Sequence, residues 1–173
     1  MNKTTRKNTL RFLVLLLVQG LVLRFVGNEM PNFPYLNLFL YPLFILLLPV
    51  DVPRPLVVLL GFVMGIAVDM FYHSPGLHAG ASVATAYFRN IALRFLEPLE
   101  GYRVNDHPTL KRMGFLWFVQ YAAPLLLLHC FIYFSLETFN FYYLGDILLK
   151  TLFCFLFSLS LLLAVQAVLG GRD

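Results

Sequence analysis

Six apolar runs, at 10–26, 35–50, 55–72, 78–96, 113–136 and 146–169, occupy most of this 173-residue chain and decide its solvent. A helix needs about 20 apolar residues, within a range of about 17–25, to cross the hydrocarbon layer of a bilayer. The chain is 60% hydrophobic and 13% charged, whereas soluble domains carry about 25% charged residues. A soluble fold of this length has too little interior to hide its leucines and 18 Phe. Composition therefore excludes a disordered chain, a disulfide scaffold and an ordinary cytosolic enzyme. The expected fold is all-α: a polytopic bundle of six transmembrane helices forming a single membrane domain over 1–173.

The second run is the shortest and holds Pro42, so it reads as either a kinked span or a re-entrant segment. The first run follows Lys3, Arg6 and Lys7 and contains Arg11, but no small-x-small cleavage site follows Val26. It is expected to stay as a span rather than leave as a signal peptide.

Lys and Arg concentrate in short cytoplasmic segments. With the N-terminus inside, eleven of the 13 Lys and Arg fall on the cytoplasmic side, and only Arg24 and Lys150 fall outside. Both termini are then cytoplasmic. The longest aqueous piece is the inner loop 97–112.

Gly61, Gly65 and Asp69 recur every fourth residue, which puts them on one face of the third span. Small residues let a neighbouring helix approach closely. Asp69 then either sits in water at the outer end or pins a tight hairpin between spans three and four. Ser74 before Pro75 suits a helix N-cap, whose free amides would face Asp69. Gly76, Gly80 and Ala84 form a second stripe of small residues.

His73 and His78 beside an aspartate fall short of the three or four ligands zinc needs, so they read as polar loop residues. His107 and His129 are isolated in sequence, and Cys130 and Cys154 read as buried free thiols. Gln19 is a lone amide in the first span, Asp146 suits a helix N-cap, and Lys150 suits its ion-pair neighbour four residues on. Arg89 and Arg94 either snorkel to the inner interface or join Arg103, Lys111 and Arg112 in holding an anionic lipid or a partner's juxtamembrane segment. No nucleophile elbow, HExxH, P-loop or dinucleotide fingerprint is present, and the chain reads as a non-enzyme without metal, cofactor or nucleic-acid partner.

The third span, Gly61-Phe62-Val63-Met64-Gly65-Ile66-Ala67-Val68-Asp69, followed by Ser74-Pro75-Gly76-Leu77-His78-Ala79, resembles the rod shape-determining protein MreD family. Gly61, Gly65, Asp69, Gly76 and His78 are the positions that match. The resemblance implies a non-catalytic protein of the bacterial inner membrane that binds MreC. With MreC it would connect cytoplasmic MreB filaments to RodA and its transpeptidase partner in side-wall peptidoglycan synthesis. It also implies a fold similar to the substrate-binding subunits of energy-coupling-factor transporters. A small-molecule uptake subunit of that transporter kind is therefore the alternative. Its candidate pocket residues are Asn28, Asn32, Asn37, His73, His78 and Asn140.

Overall fold

A computed structural model describes residues 3–25, 37–102 and 106–169. Among these residues the chain is all-helical, with no strand. Helix α1, Lys3–Leu17, runs directly into a π-helical turn, Val18–Leu23. A five-residue helix α2, Pro42–Leu46, follows an extended stretch, and α3 spans Arg54–Tyr72. Next come α4, Leu77–Phe95, the single turn α5, Leu110–Met113, and α6, Phe115–Thr138. A 3-10 turn at Phe141–Tyr143 leads into α7, Leu144–Leu169.

Helices α3, α6 and α7 are each long and apolar enough to cross a membrane. Their outward faces carry exposed Leu59, Phe62, Val63 and Ile66 on α3 and Leu148, Leu152, Phe153 and Leu156 on α7. Lipid covers such surfaces at no cost, whereas water does not.

Helix α4 has the length of α3, but His78, Ser82, Thr85 and Arg89 interrupt its apolar character. Their spacing of 4, 3 and 4 puts all four on one face, and all four are buried. This helix is the axis of the bundle, packed against α3 on one side and α6 on the other, with α7 beyond α6.

The run at 35–50 is not a continuous helix. Within its described part only Pro42–Leu46 is helical, and Pro42 opens that helix, where its missing N–H costs nothing. Phe39 to Pro49 is nonetheless buried among α1, α3, α4 and α6. Irregular backbone can lie at membrane depth only where protein satisfies its polar groups. The site below begins with how that is done.

Candidate functional site

Two buried side chains hold the two ends of the broken segment. At its start, Gln19 Oε1 accepts from the amides of Leu40 and Tyr41 at 2.8 and 3.3 Å, while Gln19 Nε2 donates to the Leu38 carbonyl at 2.9 Å and to Tyr72 Oη at 2.8 Å. Ser158 Oγ, from α7, accepts from the Phe39 amide at 2.8 Å. At its end, Arg89 Nη2 donates to the carbonyls of Leu48 and Pro49, and Arg89 Nε donates to Tyr121 Oη at 3.1 Å. Tyr121 Oη in turn donates to the Leu46 carbonyl at 3.0 Å. Arg89 is thus fully buried and caps backbone. It neither snorkels nor presents itself to a lipid or partner, because the Leu48 carbonyl past the end of α2 needs a donor more than the interface needs a charge.

Between those ends lies a chain of polar groups from three elements. Tyr41 Oη stands 3.0 Å from His78 Nδ1 and 2.6 Å from His129 Nε2. His129 Nδ1 stands 2.9 Å from Thr85 Oγ1, which donates to the Ala81 carbonyl at 2.8 Å. Since that hydroxyl proton is committed, His129 Nδ1 must donate to Thr85 and its Nε2 must accept from Tyr41. Tyr41 can then only accept from His78 Nδ1. Both imidazoles are fixed as Nδ1–H tautomers by this assignment. The lone pair of His78 Nε2 is left buried with no hydrogen-bond partner among the described residues. His129, isolated in sequence, is therefore central in space, and His78 is core rather than loop.

The hairpin joining α3 to α4 gathers the small residues and the aspartate. One Asp69 oxygen accepts from Ser74 Oγ at 3.1 Å and the His78 amide at 3.0 Å. The other accepts from the amides of Gly76 at 3.0 Å and Ala79 at 3.1 Å. The carboxylate sits over the first turn of α4, where free amides and the helix dipole both favour negative charge. The N-cap of α4 is Gly76, at φ +90°, and Ser74 turns its hydroxyl to Asp69 instead of capping the helix.

Gly65 lies against the backbone of Ala79 and the carbonyl of His78, and Gly61 lies against Ala86 and the Ser82 carbonyl. The surface of α4 that receives α3 is therefore Ala79, Ser82 and Ala86, not the stripe Gly76, Gly80 and Ala84. Gly80 faces Leu136 of α6.

His73, the exposed left-handed cap of α3, does not meet His78. Among the described residues no group of three or more His, Cys, Asp or Glu is placed to hold a metal ion. Of the six pocket candidates, His78 is core, Asn37 is half-buried, His73 and Asn140 are exposed, and Asn28 and Asn32 lie outside the described residues. Cys130 and Cys154 are buried, free and in contact, Sγ to Sγ 3.5 Å. Lys150 pairs with Glu137 of α6 at 3.1 Å rather than with Asp146, which falls inside the first turn of α7.

At the opposite end, Arg94, Lys111 and Arg112 are exposed, and Arg103 lies outside the described residues. Arg112 forms an ion pair with Asp106. Trp117 Nε1 and Tyr102 Oη donate to the carbonyls of Leu96 and Leu93, each at 2.8 Å, closing the last turn of α4. Burial and the charge of Glu97 push the Tyr102 hydroxyl up to about 12, so it remains a donor.

Sequence reasoning gave Gln19 and His129 little weight and did not single out Thr85 or Ser158, yet all four serve the broken segment or its polar chain. The periodic spacing of 78, 82, 85 and 89 is the one signal that pointed inward. Compared with models of protein families, with curated proteins and with solved structures, the chain matches none.

Proposed function

We propose that this chain is a non-catalytic membrane scaffold of the bacterial cell-elongation machinery, an MreD-type protein that binds MreC. In this reading it spans the inner membrane six times, with both termini cytoplasmic, in a bundle similar to the substrate-binding subunits of energy-coupling-factor transporters. Through MreC it helps couple MreB filaments to RodA and its transpeptidase partner.

One observation carries the reading. The residues of the MreD-like stretch work as a single joint, with Gly61 and Gly65 admitting α4 and Asp69 receiving the amides of Gly76, His78 and Ala79. Five positions matched on sequence alone thus share one physical task. The buried polar side chains around them are largely engaged in holding the chain's own backbone, while large apolar side chains on α3 and α7 face outward. Such a molecule meets partners through helix surfaces.

Affinity purification of the tagged chain from native membranes, with mass spectrometry of what accompanies it, tests the proposal. Recovery of MreC-type and RodA-type proteins is expected. Recovery of transport ATPase subunits in their place refutes it in favour of the uptake subunit.

A further inference from the structure

Where the start of α3 meets the end of α4, a cavity of about 240 Å³ is lined by Val50, Arg54, Asn90, Arg94, Glu97 and Tyr102, with Leu93 at its wall. It lies at the end of the bundle that carries Trp117 and the exposed Lys111 and Arg112, away from the Asp69 hairpin. Two arginines from two helices and one carboxylate meet in it. All three are exposed, and among the described residues no ion pair joins Glu97 to either arginine. Arg54 stands over the Tyr87 ring, 6.0 Å from its centroid. Beside the lining residues in sequence, Phe95 is 85% exposed and Leu99 fully so.

This charge pattern selects a ligand. A simple anion such as a phosphate monoester would gain from the arginines but be repelled by Glu97. A group carrying a phosphate and a cation together satisfies all three side chains. The helix that begins at Arg54 is long and apolar enough to cross a membrane, which favours a ligand with acyl chains attached. We propose that this cavity binds the phosphoethanolamine headgroup of a membrane phospholipid, with Arg54 and Arg94 on the phosphodiester and Glu97 on the ammonium. Asn90 supplies an amide donor, and the Tyr102 oxygen, whose proton goes to Leu93, is left as an acceptor. Arginine suits the phosphodiester because its planar fork donates two parallel bonds. The inference rests on the membrane reading of the bundle and not on the partnership with MreC.

Native mass spectrometry of the full-length chain in neutral detergent tests it, by titration with phosphatidylethanolamine, phosphatidylglycerol and acyl-free phosphoethanolamine. The wild-type chain is expected to bind phosphatidylethanolamine in preference to the other two. Arg54→Gln with Arg94→Gln should weaken that binding by about tenfold or more, the loss of roughly one charge-assisted contact or more. Glu97→Gln should weaken phosphatidylethanolamine while leaving phosphatidylglycerol binding equal or stronger. Lys111→Gln, at the same end but outside the cavity, should change neither. Because these side chains are exposed, elution of each variant at the wild-type volume checks that the fold is kept. Preference for phosphatidylglycerol, equal binding of the acyl-free group, an equal loss in Lys111→Gln, or indifference to either the arginine pair or Glu97 overturns the proposal. A failure to recover MreC-type proteins bears on the scaffold reading and leaves this result as it stands.

Discussion

Gly65 and Ala79 meet backbone to backbone: a Cβ added to Gly65 would lie 2.4 Å from the Ala79 Cα and 2.7 Å from its amide nitrogen. No rotamer relieves a clash with backbone, so α3 and α4 would have to move apart and the Asp69 bonds would lengthen with them. Gly65→Ala should destabilise by about 1–3 kcal/mol, overpacking outweighing the better helix propensity of alanine. Gly80→Ala meets only the Leu136 Cδ1 at 2.8 Å, the far end of a flexible side chain, and should cost less. Thermal unfolding in detergent, followed by the fluorescence of Trp117, gives the comparison. Equal midpoints for the two variants would show that the hairpin is not closely packed.

Asp69→Asn keeps shape but halves the acceptors. One carboxylate oxygen serves Ser74 and His78, the other Gly76 and Ala79. The asparagine amide must turn its own N–H groups toward one of those pairs, leaving donors unpaired at about 1–3 kcal/mol each. Ser74→Ala removes one hydroxyl and should cost about 1 kcal/mol. A lower unfolding midpoint, with Asp69→Asn below Ser74→Ala, is expected, and a matching loss of MreC recovery follows from the scaffold reading.

The hairpin was legible in sequence because its parts lie close together. Gly61, Gly65 and Asp69 repeat with the helical period, and the Ser-Pro-Gly turn follows within a few residues. The broken segment was not legible. Pro42 marked the interruption, but what satisfies the freed backbone comes from Gln19, Arg89, Tyr121 and Ser158, residues 19 to 119 positions away from the groups they bind. Charge patterning placed Arg89 at the interface, since a lone arginine in an apolar run normally snorkels. Only the fold supplies the carbonyls that make its burial favourable. Hydropathy likewise missed that α4 is the bundle's axis, because a polar stripe turned inward lowers the average of the whole helix.

Arg89→Lys tests the cap on the broken segment. Lysine keeps the charge, but its three donors sit on one nitrogen and do not reproduce the fork in which Nε meets Tyr121 and Nη2 meets the carbonyls. A Leu48 carbonyl left without a donor costs about 1–3 kcal/mol. Gln19→Leu removes the partner of the Leu40 and Tyr41 amides at the other end and should cost a similar amount. Both variants should raise protease sensitivity across 37–50 in detergent. A wild-type cleavage pattern in both would mean that the segment holds its shape without them.

Tyr41→Phe removes the hydroxyl shared by His78 and His129. Two buried ring nitrogens then lose their partner together, at about 1–3 kcal/mol each. His129→Phe in the same background should recover part of that loss, since an apolar ring needs no partner. Non-additivity in the double-variant cycle is the signature of a shared network. Additive unfolding energies would count against the proton assignment given above.

His107 gives the chain a pH dependence outside the membrane-spanning helices. Burial holds its imidazole below the ordinary 6.5; the nearby charges of Arg11, Lys7 and Arg112 push the same way, and the Leu47 carbonyl facing Nδ1 at 3.5 Å opposes them. The unfolded chain therefore takes up this proton at a higher pH than the folded one. Stability is at its full value above about 6.5 and falls as pH drops from there toward the lower folded value, since the unfolded state binds more protons in that window. His107→Gln removes the titration and should flatten the unfolding midpoint between pH values of about 7 and 5, an interval set by the ordinary histidine value. A slope that survives His107→Gln would assign the effect to another group.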